Sequence, residues 1–129
     1  MNLLIDTHAV IWFITDNDSL PRKTKEIIEN KDNNCYISID SYWEIAIKYS
    51  IGRLDLKVDL ETIFKIIEES GFKTLPMTTV HILKNAGLKL HHQDPFDRII
   101  IAQSLSENLT VITKDGLFKN YEIPILWKK

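Results

Sequence analysis

Four acidic residues stand where a carboxylate could do chemistry instead of merely meeting water: Asp6, Glu44, Asp97 and Asp115. Asp97 lies in His91-His92-Gln93-Asp94-Pro95-Phe96-Asp97-Arg98-Ile99-Ile100-Ile101-Ala102, where a turn hands over to a strongly apolar helix. Asp94 reads as the N-cap and Pro95 as the first helical residue, needing no N–H partner, so Asp97 falls at the third helical position near the positive end of the helix. Ile100, Ile101, Ser104 and Leu105 continue at helical spacing and give the helix a buried face. A capping role alone would account for Asp97. Glu44 has the same competing explanation, because Ser41-Tyr42-Trp43-Glu44 matches the capping-box spacing in which Glu44 reaches back to the Ser41 amide.

The elements that must position these acids can be read along the chain. Asn2 to Ile5 is a short apolar strand ending at Asp6, and Thr7 and His8 open a turn into a short helix over Ala9 to Ile14. Thr15 to Ser19 is turn chemistry in which Asp16 and Asp18 are solvated, and Ser19 caps an amphipathic helix through about Asn30. Cys35 to Ile39 is a second strand, followed by a helix apolar over most of its surface and closed by Gly52. Lys48, Arg53 and Lys57 add positive charge near the end of that helix, suited to a solvated face or to a phosphate backbone. Asp59 caps a further helix whose stripe is Leu60, Ile63, Phe64, Ile66 and Ile67. Phe72 to Leu75 is a third strand, and a helix from Thr78 or Thr79 to Ala86 contains His81 in a structural role. After the organising helix, Leu109 to Thr113 is a β-branched central strand, and Ile123 to Trp127 is a last strand placed at an edge by Pro124.

Strands alternating with helices predict an α/β fold, a mostly parallel central sheet covered on both faces by helices in three layers. Ligands of such sheets gather outside the carboxyl ends of the strands. Asp6 and Asp115 directly follow strands and Glu44 comes straight after the second, so three acids share one edge. Asp97 joins them if its helix starts there.

Bulk properties narrow the setting. At 129 residues and 44% hydrophobic content, the chain fits a single domain over 1–129 with a core that needs no disulfide. The lone Cys35 excludes an intramolecular disulfide and disfavours a zinc-thiolate site, which fits a reducing, cytoplasmic location. No run approaches the roughly 20 apolar residues of a membrane span. A net charge of −2 argues against a general DNA-coating protein while leaving room for a basic rim around an acidic centre.

Two carboxylates about 4 Å apart repel by roughly 4 kcal/mol at an effective dielectric near 20. A domain that gathers several must share protons, pair them with fixed cations, or bind a hard divalent ion. With no cysteine and no expected histidine contact, Mg2+ or Mn2+ is the natural partner, and oxygen-only ligation argues against zinc. Such an ion could activate water toward a phosphodiester.

The segments Leu4-Ile5-Asp6-Thr7-His8, Tyr42-Trp43-Glu44-Ile45-Ala46, Gly52-Arg53-Leu54, His92 to Gln103 and Thr113-Lys114-Asp115 resemble, in order, the PIN-domain ribonucleases, specifically the VapC-type toxins of toxin-antitoxin pairs. The likeness continues to Ile125-Leu126-Trp127. It implies a PIN-like parallel sheet flanked by helices and a Mg2+- or Mn2+-dependent endoribonuclease. By the same likeness Asp6, Glu44, Asp97 and Asp115 hold the metal, and Thr113 is a supporting hydroxyl. Asp94 stays a cap and support, and Arg98 suits a phosphate or a structural carboxylate. The resemblance also implies an RNA substrate, a cognate antitoxin and a homodimer. Surplus aromatic surface from Trp12, Phe13, Tyr42, Trp43 and Tyr49 would serve those partners, for instance as a groove for an amphipathic antitoxin segment.

Two other classes compete. A phospho-accepting receiver domain is also doubly wound, but it would want adjacent acids after its first strand, where this chain has Asp6 alone. A non-catalytic PIN-like binding module would show decayed acids, and all four are present.

Overall fold

The computed structural model describes residues 1–129. Five strands form one parallel sheet in the order β3-β2-β1-β4-β5. These are β1 (Asn2–Ile5), β2 (Asn34–Ser38), β3 (Lys73–Leu75), β4 (Thr110–Ile112) and β5 (Ile125–Leu126). The helices are α1 (Thr7–Ile14), α2 (Arg22–Glu29), α3 (Ile39–Ser50), α4 (Leu60–Glu69), α5 (Thr79–Ala86) and α6 (Pro95–Glu107), with a 3-10 segment over Gly116–Tyr121. The receiver-domain alternative requires the flavodoxin-like order 2-1-3-4-5, so the strand order excludes it.

Alternation along β1 splits the core. Leu3 and Ile5 face a cluster with Ala9, Val10, Ile45, Ile63 and Ile67 from α1, α3 and α4. Leu4 points the other way, to Ile100 and Ile101 of α6 and to Phe118. This is the period of two expected of a strand buried on both faces. β5 lies at the edge, as Pro124 indicates.

Three local readings change. Ser19 caps nothing: α2 begins at Arg22 with Pro21 at the N-cap position and no side-chain cap. Pro21 holds Leu20 out of helical conformation, so a helix cannot start earlier, and the Ser19 amide instead donates to Asn17 Oδ1 at 2.8 Å. The capping box of Ser41 and Glu44 is absent, because α3 starts directly off β2 at Ile39, capped by Ser38 Oγ from the Asp40 amide at 3.1 Å. This start puts Tyr42 and Ile45 into the core and carries Glu44 into the second turn. Finally, Ile66 and Leu105 are exposed. α6 is buried continuously from Ile99 to Ser104, as a helix packed against both α3 and α5 must be. Asp59 and Thr78 cap α4 and α5. His81 is structural, its Nδ1 accepting from the Thr78 amide at 3.1 Å.

Candidate metal centre at the carboxyl edge of the sheet

The strand order reverses at β1, between the β1–β2 side and the β4–β5 side. Crevices at such points receive ligands because the following connections diverge to opposite faces. The Asp6 amide donates to Ile112 O at 3.1 Å, tying the end of β1 to the end of β4. Asp6 and the segment Thr113 to Asp115 therefore leave the sheet side by side.

Asp6 is also the N-cap of α1, its Oδ1 accepting from the Ala9 amide at 2.9 Å. Burial raises the Asp6 pKa, opposed by hydrogen bonds from the Thr113 side chain and the Ala9 amide and raised further by the charge of Glu44. Thr113 Oγ1 accepts from the Asp115 amide at 3.0 Å, so this hydroxyl supports both acids. Asp94 caps α6 as its spacing predicts, Oδ1 accepting from the amides of Phe96 and Asp97 at 2.9 and 3.2 Å. The cap starts α6 at the same edge, and Asp97 joins the group. Burial, then the charges of Asp94 and Glu44, push the Asp97 pKa up to about 7, against the lowering effect of His92.

Asp6, Asp97 and Asp115 line one pocket of about 390 Å³ together with His8, Trp12 and Lys114. Lys114 Nζ stands 6.0 Å from the centre of the Trp12 ring. Larger space, about 590 Å³, opens among Asn30, Lys31, Asn33, Asn34 and Lys73 near the starts of β2 and β3. No acids converge there, so volume does not mark the chemistry in this molecule.

Glu44 does not line the acid pocket, yet its charge acts on Asp6, Asp40 and Asp97. It is 2% exposed, with Oε2 paired to Lys48 Nζ at 2.7 Å and Oε1 lacking any partner. Asp40, one turn earlier on α3 and directly after the expected second strand, is a further acid with no motif of its own in the sequence. It is 1% exposed with Oδ2 unpartnered. Burial, then the charges of Glu44, Asp97 and Asp94, raise its pKa to about 8. Once the helix start is known, the spacing Asp40, Glu44, Lys48 gives this stripe away.

His92 was also missed as a site residue. Its Nε2 lies 2.9 Å from Asp115 Oδ2 and 3.0 Å from Asp97 Oδ2. One potential ligand atom from each of the three lies within 4.8 Å of the others. An imidazole not expected from the sequence thus stands beside two of the carboxylates. The signal was present in the His92-x-Asp94 spacing just before the cap, but its partner Asp115 is remote in sequence.

Arg98 pairs with no carboxylate. Its terminal nitrogens donate to the carbonyls of Asn85, Leu88, Lys89 and His92 at 3.0–3.2 Å and to Tyr121 Oη at 3.4 Å. It pins the loop before α6 to the body of the domain. The buried Glu44 oxygen with no donor and the carboxylates of Asp6, Asp97 and Asp115 gathered at one pocket are a donor set that a hard divalent cation would satisfy. The residues present therefore fit such an ion.

The PIN domain family matches residues 3–124, while no curated protein matches the sequence. Among solved structures, the chain is similar to one in VapBC2 from Rickettsia felis bound to a DNA fragment from its promoter, with TM-score 0.74, 17% identity, and coverage of 99% of this chain and 100% of that one. A chain of a toxin-antitoxin complex from Klebsiella pneumoniae gives TM-score 0.54 at 20% identity, covering 88% and 86%. The PIN domain endonuclease Utp24 gives 0.57 at 18%, covering 99% and 85%. At these identities the structures show a shared fold. The family match over nearly the whole chain says more, and with the acids gathered at the β1/β4 reversal it makes the protein a member of the PIN domain family.

Proposed function

We propose that the protein is a Mg2+- or Mn2+-dependent endoribonuclease and the toxin of a toxin-antitoxin pair, with the cation held by Asp6, Glu44, Asp97 and Asp115. The observation that carries this reading is the meeting of Asp6, Asp97 and Asp115 at one pocket on the carboxyl edge, with Glu44 close enough for its charge to act on two of them. Bound among these carboxylates, a divalent cation would lower the pKa of a water and offset charge developing on a phosphodiester. The chain's own groups do the remainder. Thr113 and the helix caps fix the carboxylates, Lys114 presents a positive charge for a backbone phosphate, and Trp12 offers a ring on which a base can stack. Glu44 Oε1 is the oxygen free to ligate while Oε2 keeps Lys48.

The test is incubation of the purified protein with Mg2+ and RNA, beside DNA of the same sequence. Cleavage of RNA is expected, and Asp6→Asn is expected to abolish it without unfolding the protein. Full cleavage by that variant in chelator-treated, Mg2+-restored buffer would sink the assignment. The Lys48–Glu44 pair favours one rival, a non-catalytic PIN-like binding module, since it places a fixed cation on one of the four acids. RNA retained but uncut at saturating Mg2+ and Mn2+ selects that rival.

Similarity to a chain of the Klebsiella toxin-antitoxin complex supports an antitoxin partner, and a homodimer and a cytoplasmic location complete the proposal. The aromatic surplus is smaller than the sequence suggests. Tyr42 is buried against Phe64 and Phe13 packs on Phe72, leaving Trp43, 58% exposed and edge-on to Phe96, as the open one. Val80, Ile82 and Leu83 on α5 add exposed apolar surface. No helix is long and apolar enough to cross a membrane. A monodisperse monomer at high concentration that also ignores the product of the adjacent gene would count against both partners.

A further inference from the structure

His92 presents its two ring nitrogens to different partners, and their chemistry decides what the ring does at the acid pocket. Nδ1 accepts from the backbone N–H of Asp94 at 3.2 Å. Nε2 faces Asp115 Oδ2 and Asp97 Oδ2 at 2.9 and 3.0 Å. A nitrogen that accepts needs its lone pair, so the ring proton sits on Nε2, hydrogen-bonded to Asp115 and beside Asp97. An imidazole built to bind metal is arranged the other way round, its far N–H donating to a carboxylate or carbonyl so that the near lone pair meets the ion. Here the far nitrogen faces a donor. Making Nε2 a ligand would move the proton to Nδ1, setting two N–H groups against each other in a buried spot and costing the Asp94 amide its partner.

The surroundings hold the ring in this sense. The His92 amide donates to Tyr121 Oη at 2.7 Å, its carbonyl accepts from Arg98, and its ring packs edge-on to Phe118 with centres 5.7 Å apart. Tyr121 Oη in turn donates to Lys89 O at 2.7 Å. The segment closes on itself. The Asp94 amide fixes His92, Asp94 Oδ1 accepts from the Asp97 amide, and His92 Nε2 faces the Asp97 carboxylate.

We propose that His92 is a positioning residue: from Nε2 it donates to the Asp115 carboxylate and, with the Asp97 carboxylate 3.0 Å from the same nitrogen, holds the two acids converged, and it is not itself a ligand of the cation they hold. This rests on the metal-nuclease reading above. A carboxylate oxygen that accepts one N–H still has a lone pair for an ion, so the clamp and the cation are compatible. The ligand set toward the ion stays all-oxygen, which keeps the site suited to Mg2+ and Mn2+ rather than to zinc.

The test reads the ring directly. Long-range 1H–15N correlation spectra of the 15N-labelled protein, metal-free and Mg2+-saturated, are expected to show His92 protonated on Nε2 and bare on Nδ1 in both states. Calorimetric Mg2+ titration of two variants separates the faces of the ring. His92→Gln keeps an N–H donor near the Nε2 position and is expected to bind Mg2+ close to the parent's affinity. His92→Asn keeps only a partner for the Asp94 amide and is expected to lose about 10–100-fold. A proton found on Nδ1, an Nε2 that loses its proton on Mg2+ addition, or parent-like affinity in His92→Asn would overturn the proposal. The spectra of the parent decide it even if a variant fails to fold. Absence of any Mg2+ binding by the parent would instead overturn the metal reading, whatever tautomer the metal-free spectrum shows, and the role of His92 toward an ion with it.

Discussion

On one wall of the acid pocket, Asp97 and Asp115 flank a shared imidazole nitrogen and keep access to solvent. A second wall, outside the pocket lining, is formed by Asp40 and Glu44 of α3, which are almost wholly buried and each keep one oxygen with no partner. The first wall can be reached from solvent without rearranging the fold. The second is a fixed liability, relieved only by the Lys48 ammonium on Glu44 and by a proton on Asp40, whose pKa stands at about 8. The contrast separates acids open to solvent from acids whose buried charge strains them. An orphaned buried oxygen costs free energy in the folded state, a cost that the proposed cation would offset at Glu44.

The largest expected effect is on the open wall. Asp97→Asn removes a proposed ligand, and cleavage should fall by at least about 100-fold, beyond the 10–100-fold typical for groups that only support a ligand. Its metal-free melting temperature should equal or exceed the parent's, because a raised carboxyl pKa marks a charge that the folded state disfavours. A clearly destabilised yet active variant would make Asp97 a capping acid and erase the distinction between the walls.

Next comes the ion. Mg2+ at 100 times its dissociation constant should stabilise the parent by about 2.7 kcal/mol, read as a rise in melting temperature, and should stabilise Asp97→Asn much less. Equal shifts in both proteins would place the ion elsewhere.

Asp40→Asn probes the closed wall. Because the folded pKa of Asp40 is raised, its contribution to stability is intact below about pH 4 and is lost as pH rises through about 8. In chelator, the variant should therefore match the parent in acid and gain on it steadily up to about pH 8. One pKa unit is worth about 1.4 kcal/mol, so the gain should reach at least a few degrees. A difference that does not change with pH would show that Asp40 carries no such strain.

The smallest effect is expected at Asp94. Asparagine accepts the same amide hydrogen bonds, so Asp94→Asn should keep most activity and most stability, whereas Asp94→Ala should cost about 1 kcal/mol through the lost cap. Loss of cleavage in a stable Asp94→Asn would move Asp94 into the set of ligands.

What the sequence determined by itself were the features carried by near neighbours. The Asp94-Pro95 start of α6, the Asp59 cap of α4, the glycine ends, the edge position of β5 and the alternating α/β order all rest on local conformational preference or short-range periodicity, which a few residues specify. Asp6 and Asp115 were legible because a strand end on a parallel sheet is a local mark with a known place in the architecture. Tertiary structure alone decided the rest. Ser38 and Ser41 can each cap α3, and the choice fell to Ser38 because only that start buries Tyr42 and Ile45 against the sheet. That choice turned Glu44 from a capping residue into a buried acid and brought Asp40 in beside it. His92 and Arg98 have ring and guanidinium donors that suit many partners. What they meet depends on the packing of α6 against β4 and the Gly116–Tyr121 segment, which joins Asp115 and Tyr121 to residues more than twenty positions earlier. Hydrogen-bond partners that distant are set by the fold and leave no trace in local spacing.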